Sequence, residues 1–171
     1  MPTRERRTTM TDVRNAPSLA GLRDEQDIRD LGYRFADACN RDDGAAFREL
    51  WTDDAVWIID EPMNLHIEGV DAIAGTRARL RSMWSFFVQM PHAPVVAVDT
   101  DRATSSWTVS EHAVDSTGGR TYFNYARYDD VLTRTTLGWR YVSRRYRYYH
   151  LEQTGPDSDV AAPTRPGPGI H

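Results

Sequence analysis

The sequence predicts an α+β fold: three N-terminal helices packed on a strongly curved antiparallel sheet, forming a cone-shaped α+β barrel that encloses a pocket. Helical periodicity is concentrated before Pro91, whereas strand-like segments fill most of residues 95–150. Helices followed by an antiparallel meander are typical of α+β domains whose helices cover one face of the sheet. A curved sheet that closes over the first helix would leave an internal cavity.

The length and composition indicate one domain with a tail at each end. The chain has 171 residues, and 40% of them are hydrophobic, which is enough for a buried core. Residues 1–21 show no periodicity, and residues 153–171 are rich in proline and glycine. Because such segments cannot build a core, we predict disordered tails at 1–21 and 153–171 around one domain at 22–152.

The first two helices follow from apolar spacing and capping residues. The first helix is predicted to begin at Asp24, after which apolar residues recur at three- and four-residue steps. Its buried face consists of Ile28, Leu31, Phe35 and Ala38 or Cys39. A short second helix is capped by Asp42 or Asp43, whose side chains can accept a hydrogen bond from the first turn.

The third helix is predicted to begin near Val70 and to continue until Pro91 stops it. Trp84 and Phe87 lie on its buried side in this prediction, together with Ile73. Trp84 would therefore reach the pocket from a helix.

Strands are predicted before and after the third helix. Residues 55–59 read as a buried strand, and residues 65–68 as its return strand after a turn at Pro62. The later strands are predicted at residues 95–98, 103–115, 120–133 and 139–150. Gly118 and Gly119 form the turn of the central hairpin.

Charge and hydropathy exclude several classes of partner. The net charge of −4 argues against a nucleic-acid partner, which usually selects a basic surface. No segment has the roughly 18 apolar residues of a membrane helix, and the N-terminus lacks the apolar stretch of a secretory signal. We therefore expect a cytoplasmic protein that binds neither nucleic acid nor membrane.

Metal and cofactor motifs are missing from the sequence. The single cysteine, Cys39, excludes an internal disulfide and any multi-cysteine metal site. The five histidines lack ligand spacing and are His66, His92, His112, His150 and His171. No glycine-rich phosphate motif is present. We predict a protein that uses no metal and no cofactor.

Two segments carry a resemblance to a known family. Residues 40–57 contain an aspartate-rich turn followed by Thr-Asp-Asp-Ala-Val-Trp, and residues 125–145 form a closing hairpin. Both are similar to the SnoaL-like branch of the NTF2-like superfamily, over about residues 24–151. The resemblance implies the cone-shaped fold, a small-molecule substrate, and assembly as a homodimer or homotrimer. The superfamily hosts many reactions, so the fold alone does not name one.

The same resemblance implies a catalytic histidine and its partner. Scytalone dehydratase and hexachlorocyclohexane dehydrochlorinase, two relatives, use a histidine after the third helix paired with an aspartate near the end of the first. His92 matches the histidine, and Asn40 occupies the aspartate position. Asp37, one helical turn earlier, could supply the carboxylate instead. We therefore predict His92, Asn40 and Asp37 as catalytic residues, with His92 as the acid or base.

Other residues are predicted to bind the substrate. On the strand of residues 120–133, Asn124 and Tyr128 share the face assigned to the pocket. His112 shares a strand face with Thr108 and Ser110, while Glu111 points the other way, and the pattern leaves open which face looks inward. The predicted substrate-binding residues are Tyr128, Asn124, Trp57, His112, Phe35 and Trp84.

These residues favour a cofactor-independent lyase or isomerase. A dehydratase, isomerase or cyclase acting by acid/base chemistry on a small, largely apolar substrate, such as a polyketide or terpenoid, fits the resemblance. Two alternatives remain open: a non-catalytic small-molecule-binding protein, suggested by the amide at Asn40, and the small subunit of a ring-hydroxylating dioxygenase.

Overall fold

The computed structural model describes residues 18–155, which form three helices and one seven-stranded sheet. The helices are α1 (Leu19–Asn40), α2 (Gly44–Arg48) and α3 (Val70–Ser82). The strands are β1 (Trp51–Ile59), β2 (Leu65–Glu68), β3 (Trp84–Pro91), β4 (Val95–Asp99), β5 (Arg102–Asp115), β6 (Thr121–Thr135) and β7 (Gly138–Thr154). The α+β class is confirmed, and α3 follows the first two strands, as the predicted bounds of these elements indicate, so only two of the three helices precede the sheet.

The sheet is open, so the prediction of a closed barrel is wrong. The strand order is β2-β1-β7-β6-β5-β3, and β4 pairs with β5 beside β3. β1 runs parallel to β7, and all the other pairs are antiparallel. Helix α3 contacts β1, β2 and β3, which include both edge strands. A helix therefore spans the gap where a closed barrel would have strand pairing.

Helix α1 begins earlier than predicted because Ser18 caps it. The Ser18 side chain accepts a hydrogen bond from the Gly21 backbone N–H at 3.0 Å. The helix covers the inner face of the sheet with the apolar residues expected from its periodicity, including Ile28, Leu31 and Phe35. Phe35 is 1% exposed and contacts the rings of Tyr128 and Tyr141. These contacts form the centre of the core.

A buried ion pair lies beneath α1. The guanidinium of Arg144 on β7 is 3.1 Å from the carboxylate of Asp130 on β6, and both side chains are almost fully buried. The guanidinium also stacks on the rings of Phe35 and Tyr128, at 3.9 and 3.7 Å. Ser105 donates a hydrogen bond to Asp130 at 2.8 Å. The pair thus ties two central strands to the helix above them.

The predicted length of the third helix is wrong. Helix α3 ends at Ser82, and the residues from Trp84 to Pro91 form β3, which pairs with β5. Aromatic and β-branched residues dominate Trp84–Val88, and such residues favour strands. The helical spacing of Trp84 and Phe87 was therefore coincidental, because pairing with β5 determines the conformation of this segment.

The remaining strand predictions agree closely with the structure. β2 has the predicted bounds, and β4, β5 and β7 extend the predicted strands by one to five residues in total. β6 begins one residue later and ends two residues later than predicted, and β1 begins four residues before its predicted start. Most of the predicted tails, at 1–21 and 153–171, lies outside residues 18–155; α1 begins within the first and β7 ends within the second. None of the three helices described is long and apolar enough to cross a membrane.

Candidate functional site

A cavity of about 280 Å³ lies between α1, α3 and the inner face of the sheet. Its wall is mostly aromatic and aliphatic, with a few polar groups among them. The lining residues include Phe35, Cys39, Trp57, Arg77, Arg81, Trp84, Gln89, Glu111, Asn124, Tyr128, Tyr146 and Tyr148. A largely apolar pocket with few polar groups is typical of a small-molecule site.

The deep end of the pocket contains one carboxyl group, that of Glu111 on β5. Gln89 and Tyr146 donate short hydrogen bonds to it, and Asn124 donates a third at 3.3 Å. Gln89 also donates to the hydroxyl oxygen of Tyr128 at 3.1 Å. Glu111 is 7% exposed, so this carboxyl group and its donors are nearly shielded from bulk water.

Cross-strand register brings this cluster together. Glu111 on β5 is paired with Gln89 on β3 and with Asn124 on β6. Tyr128 and Tyr146 face each other across β6 and β7, with ring centroids 5.0 Å apart. Paired residues on adjacent strands project from the same face, so four strands deliver their polar side chains to one point.

Burial raises the pKa of Glu111 above its usual range, and the hydrogen bonds from Tyr146, Gln89 and Asn124 offset part of that rise. Burial also raises the pKa of Tyr128 and of Tyr146 well above the ordinary tyrosine value. Both phenols therefore stay protonated near neutral pH. A carboxyl group whose pKa moves toward neutrality can both accept and release a proton.

Four pocket-lining polar atoms have no hydrogen-bond partner among the described residues. The donors are the indole N–H of Trp57 and the Nε–H groups of Arg77 and Arg81, and the acceptor is the Oδ1 atom of Asn124. Because an unpaired buried polar atom costs free energy, such atoms are available to a ligand. Burial raises the pKa of the neighbouring Cys39 to about 12, so this thiol is neutral.

Helix α3 contributes two arginines to the wall, Arg77 and Arg81. Arg77 is 7% exposed, and its guanidinium donates to the carboxylate of Asp42 at 2.7 Å and to the carbonyl of Ala38 at 3.2 Å. Arg81 donates to the carbonyl of Trp84 at 2.7 Å. Arg77 thus links α3 to the end of α1, while Arg81 links the end of α3 to the start of β3.

The structure does not bring the three predicted catalytic residues into the pocket wall. His92 is exposed just past the end of β3, and its ring is 3.2 Å from the hydroxyl of Ser110. Asp37 is exposed and pairs with Arg41 at 2.8 Å. Neither side chain lines the cavity.

Asn40 has a clear structural contact instead. Its amide donates to the backbone carbonyl of Gln89 at 2.9 Å and accepts from the backbone N–H of Gln89 at 2.7 Å. Asn40 therefore holds β3 against the end of α1 and sets the position of Gln89. The polar pocket residue of this strand is Gln89, three positions before His92.

Five of the six predicted substrate-binding residues line the cavity: Phe35, Trp57, Trp84, Asn124 and Tyr128. Trp84 does so from a strand and not from the predicted helix. The sixth, His112, lies on the opposite face of β5, with its ring 5.6 Å from Phe86 and 6.4 Å from Phe123. The face of β5 that looks inward is therefore the one bearing Glu111.

Sequence reasoning missed Glu111, Gln89, Tyr146 and the two arginines as site residues. Glu111 did carry a signal, because its strand face otherwise bears Trp107, Val109 and Ala113, and a single acid on an apolar face is unusual. Gln89 and the arginines carried none, because their segment read as one long helix. Residues 18–155 contain no group of three or more potential metal ligands. The homodimer or homotrimer stays a prediction.

Comparison with known proteins identifies the family to which this domain belongs. A family model described as a SnoaL-like domain matches residues 20–145. No curated protein matches the chain. Similar solved structures include an NTF2-like protein with a cystatin-like fold from Novosphingobium aromaticivorans, 25% identical over 90% of this chain and 96% of that chain, with a TM-score of 0.64.

Two further structures have a similar fold at lower identity. Hexachlorocyclohexane dehydrochlorinase LinA-type3 from Novosphingobium barchaimii is 16% identical over 78% of this chain and 91% of its own, with a TM-score of 0.71. A candidate scytalone dehydratase from Novosphingobium aromaticivorans is 15% identical over 87% and 97%, with a TM-score of 0.72. At these identities the likeness establishes the fold.

Proposed function

Because the chain belongs to the SnoaL-like domain family, we propose that it is a cofactor-free lyase or isomerase that moves a proton on a small, mostly apolar substrate. The fold is shared with proteins named as a dehydrochlorinase and a candidate scytalone dehydratase, which supports a lyase. The pocket of this chain supplies the chemistry, and Glu111 is its central group.

The observation that carries this proposal is the buried carboxyl group of Glu111 at the deep end of an apolar pocket. Burial raises its pKa, which makes the carboxylate a stronger base, and its three hydrogen-bond donors hold it in one orientation. A water-poor site also strengthens each polar contact that a substrate makes there.

Dehydration of a β-hydroxy carbonyl compound illustrates the mechanism. The Glu111 carboxylate takes a proton from the carbon between the carbonyl and the hydroxyl-bearing carbon. The carbon–oxygen bond to the hydroxyl then breaks as a carbon–carbon double bond forms. The departing hydroxyl takes the proton back from Glu111 and leaves as water, which restores the carboxylate. Isomerisation would differ only in returning the proton to another carbon of the substrate.

The neighbouring groups would hold the substrate during this transfer. The indole N–H of Trp57 is unpaired, and the hydroxyl of Tyr128 accepts from Gln89, which leaves its own proton to donate. Either donor can stabilise the negative charge that develops on a carbonyl oxygen. The free Oδ1 of Asn124, beside Glu111, can accept a hydrogen bond from the leaving hydroxyl.

The test is solvent exchange, which requires no knowledge of the product. A panel of small cyclic and aryl ketones and their β-hydroxy derivatives is incubated with the protein in deuterium oxide, and deuterium incorporation and loss of water are followed by NMR. The Glu111→Gln variant should be about 10²–10⁴-fold slower, which is the usual contribution of a positioned acid or base.

His92→Gln is the matched control, because it removes a titratable side chain that lies outside the pocket wall. We expect it to keep the wild-type rate. Full activity in Glu111→Gln, or a comparable loss in His92→Gln, would refute the assignment of the proton transfer to Glu111.

A non-catalytic binding protein is the second candidate, and one observation favours it. Asn40 is engaged with the backbone of Gln89, and His92 is outside the pocket, so the pocket contains no histidine–aspartate pair. This candidate predicts that wild type binds members of the panel in calorimetry but exchanges no deuterium with any of them.

A further inference from the structure

Arg81 is a cation in the pocket wall that lacks an acidic partner. Its guanidinium makes one hydrogen bond within the described part of the chain, from Nη1 to the carbonyl of Trp84. No carboxylate of residues 18–155 lies within ion-pair distance of it. Its Nε atom is buried and has no hydrogen-bond partner there. Since arginine has five N–H donors, most of its capacity is unused.

Arg77, one turn earlier on α3, is an ion-paired arginine in the same wall, although its Nε atom, like that of Arg81, has no hydrogen-bond partner among residues 18–155. It pairs with the carboxylate of Asp42, bonds a backbone carbonyl, and lies 5.5 Å from the centre of the Phe47 ring. Its charge is therefore compensated within the protein. The positive charge of Arg81 is not, although both guanidinium groups border the same cavity.

Arg81 and Glu111 lie at opposite ends of the cavity. The guanidinium bonds Trp84 at the start of β3, whereas Glu111 is paired with Gln89, five residues further along that strand. At about 3.3 Å per residue, this separation is roughly 16 Å along the strand. Met83, beside Arg81, is 47% exposed, and Glu111 is 7% exposed, so Arg81 marks the open end.

The wall between these two ends is apolar. Leu80, Phe87, Ala113 and Tyr122 line it, and Trp84 packs edge-on against Tyr122 with ring centroids 5.0 Å apart. A ligand that spans the cavity would thus meet a cation at the open end, an apolar middle, and hydrogen-bonding groups at the deep end.

We propose that the ligand is an elongated, mostly apolar carboxylic acid whose carboxylate pairs with Arg81 while its other end reaches Glu111. This proposal names the substrate class. Only the reaction at the Glu111 end of the ligand rests on the proposed function. A planar guanidinium fits a carboxylate through two parallel hydrogen bonds, which a neutral group cannot reproduce. The unused donors of Arg81, including Nε, provide that fork.

The test compares one acid with its uncharged analogue. The probes are 6-phenylhexanoate and 6-phenylhexanamide, which have nearly the same length and shape and differ in the charge of one end. Their dissociation constants for the full chain are measured by calorimetry at neutral pH. Wild type should bind the acid at least roughly tenfold more tightly than the amide, since charge-assisted hydrogen bonds are the stronger kind.

Variants then assign the preference to one side chain. Arg81→Gln should bind the acid and the amide about equally, with the loss of affinity falling mainly on the acid. Arg79→Gln is the matched control, because it removes the same charge from the same helical turn, but Arg79 is exposed and absent from the pocket wall. It should keep the full preference for the acid.

Arg81→Lys covers the case in which Arg81→Gln fails to fold. It keeps a positive charge and a donor for the Trp84 carbonyl but loses the planar fork, so its preference for the acid should be reduced and not abolished. Equal affinities of wild type for acid and amide, undetectable binding of the acid, or a preference that survives in Arg81→Gln would overturn the proposal.

The outcome is independent of the catalytic test. Both probes are bound and not converted, so the measurement reads affinity alone. A failed exchange assay would leave the Arg81 result standing. A failed binding comparison would leave proton transfer by Glu111 intact, with a substrate of another class.

Discussion

Replacing Gly32 by alanine is expected to destabilise the protein, although alanine is the better helix former. Gly32 lies in the middle of α1, where it contacts the indole ring of Trp107 on β5. A Cβ atom added at Gly32 would lie 2.1 Å from the ring atom Cζ2 and 2.5 and 2.6 Å from two others. Trp107 is 1% exposed, and its indole N–H donates to Ser105 at 3.1 Å. The ring therefore has little room to move.

The expected change in the free energy of unfolding is the sum of two opposing contributions. Carbon atoms in good contact are about 3.5–4.0 Å apart, so the helix or the ring must shift by roughly 1.5 Å. Overpacking of this kind typically costs about 1–3 kcal/mol, and the higher end applies here because three ring atoms are too close. The gain in helix propensity returns about 1 kcal/mol. We expect a net loss of about 2 kcal/mol in the free energy of unfolding.

The assay is urea unfolding of Gly32→Ala and Gly75→Ala beside wild type. Gly75 is a helical glycine of α3 with nothing within 4 Å of an added Cβ atom, so it gains the same propensity without a clash. Gly75→Ala should be more stable than wild type by up to about 1 kcal/mol. Gly32→Ala as stable as wild type would refute the reasoning, because the close packing of α1 on Trp107 would then not be real.

Three further perturbations test other parts of the structure. Asp130→Ala should lower the free energy of unfolding by about 3–5 kcal/mol, because it leaves the buried guanidinium of Arg144 uncompensated; a loss below about 1 kcal/mol in urea titrations would contradict the buried pair. Asn40→Ala should cost about 2 kcal/mol by removing both hydrogen bonds to the backbone of Gln89, with hydrogen exchange of that amide speeding up in step. Burial raises the folded-state pKa of Glu111, so the stability contributed by its protonated form is present below the ordinary glutamate pKa and is lost as pH rises through the raised value. Glu111→Gln should therefore gain stability relative to wild type with increasing pH. A pH-independent difference in the free energy of unfolding would contradict this.

Local patterns were sufficient to predict the side chains that point inward from regular elements. Phe35 followed from the helical period of α1, and Asn124 and Tyr128 from alternation along β6. These predictions required only the side of the helix or strand that is buried, judged relative to one residue expected in the core. They required no knowledge of which strand lay next to which.

The polar cluster could not be predicted in the same way, because its members meet only through strand register. Glu111, Gln89 and Asn124 come from β5, β3 and β6, and no local sequence pattern indicates that these residues are paired across the strands. On β5 both faces mix apolar and polar residues, so the pattern alone did not say that the face of His112 is the outer one. The resemblance pointed to His92, whereas the strand delivers Gln89 to the pocket three residues earlier.

The parallel pairing of β1 with β7 has a consequence for the order of events during synthesis. Trp57 on β1 is in register with Arg144 on β7, so two central neighbours in the sheet are separated by most of the domain's sequence. A nascent chain presents α1 and β1 long before the strand that must lie between β1 and β6 has left the ribosome. The apolar face of α1 then has no sheet to cover, and such exposed surface invites aggregation. We expect chaperone dependence to end only when β7 is released, since contacts between distant segments also make folding slow.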